Sequence, residues 1–276
     1  MVEGMGRTWL ITGCGSGFGR LLAKKALSRG DRVVVTARRI RTIEALAGQY
    51  PTSALCLAMD VADAASVRPA IATAFERFGH IDILVNNAGF GLQVALEEAS
   101  DAQIRALFDV NFFGALEVIR AALPQLRAQG SGHIINISSV GGRTSAPLIA
   151  LYSASKYALE GLSLGLGMEL ASFGIKVTTI EPGAFDTGFA RAVQPPEIRK
   201  VAYQALHDQF DALLADVHFA DPAGCVDAIL HVVDHPDPPR QFIAGSHAYA
   251  AVEAAIAEQC REMERWRVIS EAADRS

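Results

Sequence analysis

The sequence predicts an α/β fold built on one parallel sheet of about seven strands, doubly wound so that helices cover both faces. Short apolar stretches, typical of buried strands, alternate with stretches of helical period along most of the chain. Glycine-rich or polar turns follow several of these strands, as they do in sheets that bind ligands at their carboxyl ends. No linker rich in Gly, Ser or Pro divides the 276 residues, and we therefore expect a single domain over residues 1–276.

Composition limits the partners that this chain can have. Its net charge of −5 and the lack of a basic stripe disfavour nucleic acid. No apolar run approaches the ~18 residues that a membrane span requires, and the N-terminus passes into a strand pattern without a cleavable signal. We therefore expect a cytoplasmic protein without a membrane partner. The four cysteines are scattered and form no C-x-x-C pair, as expected for reduced thiols in or near the core.

Seven stretches have the length, apolar content and flanking turn residues of strands. They are residues 7–12, 32–37, 53–59, 82–85, 133–137, 175–180 and 241–244. Helical periodicity predicts helices over 20–29, 40–50, 64–78, 101–127, 151–173, 222–233 and 248–267. Residues 188–220 differ, because they contain Pro195-Pro196, mixed charge and weak periodicity. We expect them to form one or two mobile helices that cover a substrate.

The turn after the first strand predicts a site for the phosphates of a dinucleotide. It reads TGCGSGFG over residues 12–19 and opens a helix. Glycines allow close backbone approach, and the N-terminus of the helix offers free N–H groups. A plain strand-to-helix turn is the alternative, but the position in the first strand–helix unit favours the nucleotide. The candidate residues are Gly13, Gly15, Ser16, Gly17, Phe18 and Gly19.

The residues after the second strand indicate which nucleotide binds. NAD-binding domains usually place an acidic residue about 20 positions beyond the glycines, where it holds the ribose 2′-hydroxyl. Here that point falls near Ala37, and Arg38 and Arg39 follow it. Guanidinium groups suit a phosphate, and the hydroxyl of Ser16 is a further donor to it. The sequence therefore favours NADP(H) over NAD(H); a solvated helix start is the other interpretation of the arginines.

Three further strand ends carry polar or glycine-rich turns. Asp60-Val61 follows the third strand, where the carboxylate either accepts from an adenine amino group or caps the next helix. Amides and a glycine follow the fourth strand and fix the neighbouring turn beside the cofactor, with an ordinary Asn/Gly turn as the alternative. The nucleotide-binding candidates in these turns, and in the turn after the sixth strand, are Asp60, Val61, Asn87, Ala88, Gly89, Pro182, Gly183, Phe185 and Thr187.

Tyr152 and Lys156 form the predicted catalytic pair. They lie four residues apart in a helical pattern, so their side chains share one face. A nearby ammonium lowers the pKa of a phenol from about 10, and a general acid works best when its pKa is near the working pH. An accidental pair on a helix surface is the alternative. Asn111 also needs a functional reason, because Asn is a poor residue for a helix interior.

Together these motifs resemble the short-chain dehydrogenases/reductases, whose fold is of the Rossmann type. The resemblance covers nearly the whole chain up to Thr187. It rests on Thr12-Gly-x-x-x-Gly17-x-Gly19, Asn86-Asn87-Ala88-Gly89, Asn111, Ser139 thirteen residues before Tyr152, Lys156, and Pro182-Gly183-x-x-x-Thr187. The TGCGSGFG and VVVTARR stretches most resemble the 17β-hydroxysteroid-dehydrogenase-like and retinol-dehydrogenase-like members. Gly15 departs from the serine usual there and removes one phosphate contact.

The resemblance implies hydride transfer between C4 of a nicotinamide and the carbonyl or alcohol carbon of a small molecule. Tyr152 would exchange a proton with the substrate oxygen, which Ser139 would orient. Lys156 would lower the pKa of Tyr152 and hold the hydroxyls of the nicotinamide ribose. The protein would then be an NADP(H)-dependent oxidoreductase acting on a carbonyl or a secondary alcohol.

The resemblance also assigns roles around this centre. Asn111 would bind a water that links Lys156 to solvent. Thr187 and the backbone after Pro182 would fix the carboxamide. The family often pairs the helices equivalent to 101–127 and 151–173 between subunits, so a homodimer or homotetramer is expected.

Two other functions fit the same fold. A catalytically idle NADP(H)-binding sensor or scaffold commonly loses the catalytic set, which here is complete as Asn111, Ser139, Tyr152 and Lys156. A sugar-nucleotide epimerase or dehydratase has a different glycine spacing and a longer C-terminal substrate domain. The oxidoreductase is therefore the preferred prediction.

The predicted substrate pocket is apolar. This suits a steroid-, retinoid- or lipid-like ketone or alcohol as well as smaller ketones. Its expected lining, besides Tyr152 and parts of 190–215, is Phe90, Gly91, Leu92, Gly141, Gly142, Arg143, Phe185 and Phe189. His207 and His218 are candidates for a polar substrate contact. His231 and His235 have the spacing of a metal pair but no evident third ligand, so no metal is expected.

Overall fold

The computed structural model describes residues 6–274. The expectation that no cleavable signal peptide precedes the first strand concerns residues 1–5, which lie outside the described residues. Seven strands form, each within two residues of its predicted ends. They are β1 (Thr8–Ile11), β2 (Arg32–Ala37), β3 (Ala54–Ala58), β4 (Ile83–Asn86), β5 (Gly132–Ile137), β6 (Ile175–Pro182) and β7 (Gln241–Ala244).

The strands form one sheet in which every neighbouring pair is parallel, in the order β3-β2-β1-β4-β5-β6-β7. The chain starts in the middle at β1, runs through β2 to the edge strand β3, and then returns to the other side of β1 for β4 to β7. Connections therefore leave β1 and β4 in opposite directions, and ligands bind at such a switch point in doubly wound sheets. The predicted fold class is confirmed.

Helices cover both faces of the sheet. They are α1 (Gly17–Ser28), α2 (Glu44–Gln49), α3 (Ala64–Phe78), α4 (Asp101–Phe108), α5 (Ala115–Gln129), α6 (Ala150–Glu169), α7 (Gln204–Ala215), α8 (Pro222–Asp234) and α9 (Ser246–Ala272). Trp9 and Ile11 of β1 are fully buried among residues of α1 and α8, whereas Leu10 is buried among residues of α3 and α5. Successive strand side chains point to opposite faces, so burial on both faces explains why the strand sequences are mostly apolar rather than alternating.

Two predicted helices are interrupted within their length, and the helix predicted over 151–173 ends as α6 at Glu169, before a 3₁₀ turn at Ala171–Phe173. The stretch over 101–127 divides into α4, a π-helical turn at Asp109–Gly114, and α5. The π-helical turn packs closely against Val61: a Cβ atom at Gly114 would lie 2.8 Å from Cγ2 of that residue. The stretch over 40–50 divides into a 3₁₀ turn at Ile40–Thr42 and α2. Hydrophobic periodicity does not distinguish these variants from a continuous helix.

The C-terminal third of the chain holds the covering segment, residues 188–220, and two long helices. The covering segment contains 3₁₀ turns at Ala190–Ala192 and Val201–Tyr203, followed by α7. The last helix, α9, is longer than predicted, and its residues are exposed from residue 256 onward. Within residues 6–274, no helix combines the length and the apolar character that crossing a membrane requires.

Candidate active site

A cleft of about 930 Å³ lies at the carboxyl ends of the strands, over the switch point between β1 and β4. Most of the predicted site residues line it. They are Gly13, Gly15, Ser16, Gly17, Phe18, Arg38, Arg39, Asp60, Val61, Asn87, Ala88, Gly89, Ser139, Tyr152, Lys156, Pro182, Gly183, Phe185 and Thr187. The predicted residues that are not part of the lining are Gly19, Asn111 and, from the expected substrate pocket, Gly91, Leu92, Gly141, Gly142 and Arg143.

Thr12 and Asn87 tie the glycine turn to the end of β4. The Asn87 amide donates to the carbonyl oxygens of Thr12 at 2.8 Å and Gly13 at 3.2 Å. The Thr12 hydroxyl accepts from the backbone N–H groups of Asn87 and Ala88, both at 2.9 Å. Gly13 has a φ of +70°, and a Cβ atom there would lie 2.9 Å from Cα of Ala88. A side chain is therefore excluded at Gly13 by both conformation and space.

Gly19 supports this turn from outside the cleft. A Cβ atom at Gly19 would lie 2.4 Å from Nδ2 of Asn87 and 2.9 Å from the carbonyl oxygen of Gly13. The prediction that Gly19 contacts the nucleotide is therefore corrected. The residue lacks a side chain so that α1 can pack against the amide that holds the turn.

The end of β2 is basic, as the sequence indicates. Arg38 and Arg39 line the cleft and are exposed. The carboxylates in the lining are Asp60 and Asp109, and neither follows β2. The Ser16 hydroxyl at the start of α1 is exposed and makes no capping hydrogen bond to the helix. Three donors suited to a phosphate therefore lie free along this part of the cleft.

Asp60 does not cap the helix after β3, which was one of its two predicted roles. The N-cap of α3 is Asp63, whose carboxylate accepts from the backbone N–H of Ala65 at 2.9 Å. Asp60 accepts from the backbone N–H of Ala62 at 3.1 Å and lies at the cleft. The capping signal is therefore three residues later than expected, because the chain makes a further turn before α3.

Ser139, Tyr152 and Lys156 meet at the cleft. The Ser139 hydroxyl accepts from the N–H of Gly141 at 3.0 Å, which starts the 3₁₀ turn Val140–Gly142. A Cβ atom at Gly141 would lie 3.3 Å from Cε1 of Tyr152 and 3.4 Å from Oγ of Ser139, so the two side chains flank this glycine. One helical turn further along α6, Nζ of Lys156 lies 5.9 Å from the centre of the Tyr152 ring.

The pKa values of the pair differ from the expected ones. Burial raises the pKa of Tyr152 to about 12, and the Ser139 hydroxyl lowers it only in part. Burial also lowers the pKa of Lys156 to about 8, while the charge of Glu160 raises it in part. The lowering of the Tyr152 pKa that Lys156 was expected to cause is outweighed here by burial. Desolvation dominates both groups, and Nζ of Lys156 donates to the carbonyl oxygen of Ile137 at 2.9 Å.

Asn111 lies in the π-helical turn and is buried. Its amide accepts from the N–H of Phe90 at 3.0 Å and donates to the carbonyl oxygen of Phe90 at 3.0 Å. It also donates to Oγ of Ser155 at 3.1 Å. A Cβ atom at Gly89 would lie 3.1 Å from Oδ1 of Asn111 and 3.5 Å from Nζ of Lys156. Asn111 therefore fixes the loop after β4 directly beside the lysine, which explains a polar residue in this helix.

The chain after β6 forms another wall of the cleft. A Cβ atom at Gly17 would lie 3.4 Å from Cβ of Thr187, so Thr187 faces the glycine turn. The rings of Phe185 and Phe18 meet edge to face at 5.6 Å. The ring of Phe189 lies 5.9 Å from that of Tyr152. The cleft is thus polar along the glycine turn and aromatic next to Tyr152.

The covering segment contributes to the cleft but not through its histidines. His207 is fully buried, with Nε2 at 2.7 Å from Oε2 of Glu98, and His218 is not part of the lining. The prediction that His207 or His218 contacts the substrate is therefore corrected, because neither side chain lines the cleft. Glu98 also accepts from the N–H of Lys200 at 2.8 Å. The pairing of Glu98 with His207 and Lys200 anchors this segment to the loop after β4.

Several lining residues were not among the predicted ones. They are Phe219 at the end of the covering segment, Ala106 on α4, Val110 on the π-helical turn, Thr42 and Met59, whereas Ala190, Ala192 and Gln194 belong to the stretch 190–215 that was expected to contribute. Isolated bridges pair Gln194 with Leu92 and Ala220 with Phe185, and these hold the segment over the cleft. No periodic signal marks such contacts, because they depend on tertiary placement of irregular chain.

The histidine pair and the cysteines are not part of the cleft lining. The rings of His231 and His235 are 6.4 Å apart, and residues 6–274 contain no group of three or more His, Cys, Asp or Glu placed to hold a metal ion. Cys14 lies buried under the glycine turn, where burial raises its pKa to about 12. Cys260 is exposed on α9, contrary to the expectation of a core thiol.

Solved structures similar to this chain contain nicotinamide nucleotides. A short-chain dehydrogenase/reductase from Burkholderia phymatum in complex with NAD is 27% identical, with a TM-score of 0.80 over 92% of this chain and 94% of that one. A gluconate 5-dehydrogenase from Burkholderia cenocepacia in complex with NADP and tartrate is 30% identical, with a TM-score of 0.75 over 89% of this chain and 96% of that one.

Other relatives match from end to end. A short-chain dehydrogenase from Streptomyces avermitilis is 37% identical, with a TM-score of 0.92 over 99% of this chain and 100% of that one. The oxidoreductase BOA17 of Botryotinia fuckeliana is 34% identical over 271 residues, which cover 96% of this chain and 98% of that protein. The family model described as short chain dehydrogenase matches residues 7–198. The chain therefore belongs to the short-chain dehydrogenase/reductase family of oxidoreductases.

Proposed function

We propose that this protein is an NADP(H)-dependent oxidoreductase that transfers a hydride between the nicotinamide and a carbonyl or secondary-alcohol substrate. The observation that carries the proposal is the meeting of Ser139, Tyr152 and Lys156 at a cleft of about 930 Å³. Relatives with solved structures hold NAD or NADP, which supports a nicotinamide cofactor here. Such a cofactor supplies the hydride, and the protein supplies position and proton transfer.

The cleft fits a dinucleotide on the chemistry of its lining. Gly13 and Gly17 leave the turn without side chains, and α1 begins there with free N–H groups that suit a pyrophosphate. Ser16 presents an unused hydroxyl to the same space. Arg38 and Arg39 would hold a ribose 2′-phosphate, since no carboxylate follows β2 to hold a 2′-hydroxyl. These residues support NADP(H) over NAD(H).

Tyr152 is the proposed proton donor in reduction, with Ser139 holding the carbonyl oxygen. A pKa of about 12 keeps the phenol protonated at neutral pH, which is the form that a donor requires. The same high pKa makes loss of the proton costly in the transition state. The ammonium of Lys156 beside the ring offsets this cost, because a nearby positive charge favours the phenolate. In oxidation the proton moves from the alcohol to Tyr152.

The surroundings of Tyr152 support an apolar substrate. Phe189 lies 5.9 Å from its ring, and Phe90 packs in the same apolar cluster as Tyr152. Val110 and Phe219 add apolar lining. We therefore propose a steroid-, retinoid- or lipid-like ketone or alcohol, in keeping with the resemblance to the 17β-hydroxysteroid- and retinol-dehydrogenase-like branch.

A homodimer or homotetramer is part of the proposal. Apolar side chains are exposed on the helical layer that the family uses for pairing. Phe113 is 52% exposed on the π-helical turn, and Met168 is 64% exposed on α6. Tyr157 and Phe173 are also exposed on or just after α6. Exposed apolar patches of this kind are typical of interfaces.

The test is consumption of NADPH and NADH against a panel of apolar ketones and aldehydes, with Tyr152→Phe as the control enzyme. We expect turnover with NADPH, slower turnover with NADH, and little turnover by the control. A clear preference for NADH would contradict the role of Arg38 and Arg39. Tight binding of NADPH with no turnover of any substrate would instead favour the idle sensor or scaffold.

A further inference from the structure

Two buried carboxylates lie behind the catalytic residues and have no part in the proposed chemistry so far. Glu160 is 4% exposed on α6, one helical turn after Lys156, and Glu181 is fully buried on β6. Acidic side chains are almost never buried to this extent without a partner. A charged group held inside the protein beside an active site therefore requires an explanation.

Neutral donors fix the Glu160 carboxylate in place. Oε2 accepts from the hydroxyl of Thr179 at 2.8 Å and from the amide of Gln241 at 2.9 Å. Oε1 has no hydrogen-bond partner among the described residues. A Cβ atom at Gly142 would lie 3.1 Å from Cγ of Glu160 and 3.3 Å from the backbone carbon of Lys156, so Gly142 packs against both the stem of Glu160 and the helical turn that carries the lysine.

The other charges around Glu160 are already paired. Arg143 donates to both oxygens of Glu181, at 3.0 and 3.3 Å. Even so, burial raises the pKa of Glu181 to about 7, and the nearby charge of Glu160 raises it further against the effect of Arg143. Among residues 6–274, the charged groups that the electrostatics of this region connect with Glu160 are Lys156 on its own helix and Glu181 on β6, which Arg143 after the 3₁₀ turn pairs with. Arg143 and Glu181 neutralise each other, so Lys156 is the cation left for Glu160 to balance.

We propose that Glu160 is a positioning residue that keeps Lys156 protonated at the foot of Tyr152. Lys156 is 4% exposed, and within the described residues its ammonium donates to the neutral carbonyl of Ile137 alone, so without a carboxylate nearby it would be a buried and unbalanced cation. Glu160 supplies the balancing charge from α6, where Thr179 of β6 and Gln241 of β7 hold its carboxylate in place. This inference rests on the proposed function, because it assigns Lys156 a task that requires its charge.

The test is the pH profile of turnover in Glu160→Gln, which keeps the size and an acceptor oxygen but removes the charge. Loss of the carboxylate disfavours the ammonium, so Lys156 loses its proton at a lower pH. The alkaline limb of the reduction profile should move down by about one unit, while the rate at pH 6 stays within about twofold of wild type. Glu169→Gln, the same change at the exposed end of α6, should leave the profile unchanged.

Binding of NADPH over the same pH range gives a readout that does not need turnover. Its affinity should fall at a lower pH in Glu160→Gln than in wild type, because Lys156 is proposed to hold the cofactor ribose. A wild-type enzyme that binds NADPH but turns over no substrate would count against the proposed function and leave this binding test intact.

A folded Glu160→Gln variant whose turnover and binding profiles both superimpose on those of wild type would overturn the proposal. Should that variant fail to fold, Glu160→Asp carries the test, because it keeps the charge and withdraws it by one methylene. A smaller shift in the same direction would support the role of the charge. A profile identical to that of wild type, or shifted to higher pH, would contradict it.

Discussion

Replacement of Gly19 by alanine should weaken both the fold and the binding of the nucleotide, although alanine is the better helix former. The new Cβ atom would lie 2.4 Å from Nδ2 of Asn87 and 2.9 Å from the carbonyl oxygen of Gly13. Relief of both contacts requires a shift of about 1 Å, well beyond ordinary packing tolerance. The Asn87 amide would then lose its hydrogen bonds to Thr12 and Gly13.

The magnitude follows from these contacts. Two lost hydrogen bonds cost about 1 kcal/mol each, and the buried carbonyl of Thr12 left without a donor adds about 1–3 kcal/mol. The gain in helix propensity from glycine to alanine is about 1 kcal/mol. We therefore expect the free energy of unfolding to fall by about 2–4 kcal/mol. Because Asn87 also holds the turn that faces the pyrophosphate, the Kd for NADPH should rise about tenfold or more.

Urea denaturation and fluorescence titration with NADPH measure the two effects. The matched control is Gly224→Ala in α8, where a Cβ atom would meet nothing within 4 Å. That variant should be as stable as wild type or up to about 1 kcal/mol more stable, with unchanged NADPH affinity. If Gly19→Ala behaved like this control, the assignment of Gly19 as the packing partner of Asn87 would be refuted.

Two further predictions concern charge. Arg38→Ala combined with Arg39→Ala should raise the KM for NADPH about tenfold and leave the KM for NADH nearly unchanged, because only a 2′-phosphate uses the guanidinium groups. The control is Arg41→Ala, since Arg41 lies outside the cleft lining. Equal effects of the double variant on both nucleotides would contradict the prediction. Burial lowers the pKa of His133 to about 4, so the unfolded chain binds a proton there at a higher pH than the folded one. Stability from this group is complete above about pH 6.5 and is lost as the pH falls towards 4, by up to ~3 kcal/mol. In urea denaturation, His133→Gln should lose less stability than wild type between pH 7 and 4.5. The control His247→Gln changes an exposed histidine and should match wild type. Parallel losses in all three proteins would contradict the assignment of this pH dependence to His133.

The strands and the glycine turn could be predicted because their signals are local. A buried parallel strand is mostly apolar, and short apolar runs bounded by turn residues identify the seven strands of the described residues to within two residues. The residues at the strand ends then converge, since parallel strands present their carboxyl ends at one edge. This geometry brings Asn87, Ser139 and the glycine turn to one cleft without any knowledge of side-chain contacts.

Features that depend on tertiary contacts could not be predicted from the local sequence pattern. The π-helical turn around Asn111 has the apolar spacing of a helix, and its extra residue is accommodated by packing at Gly114. His207 has the sequence context of a surface helix, but pairing with Glu98, more than a hundred residues earlier, takes it out of solvent. The pKa of Tyr152 likewise depends on burial, which outweighs the charge of a lysine 5.9 Å from its ring.

The central claim is that Tyr152 transfers a proton to or from the substrate oxygen beside the cation of Lys156. Its most direct test is the split between kcat and cofactor affinity in Tyr152→Phe, measured with the best ketone of the panel. We expect kcat to fall at least about 100-fold, as for removal of a general acid, while the Kd for NADPH changes less than about threefold. A variant that keeps a rate near that of wild type, or that loses activity only because NADPH no longer binds, would contradict the account.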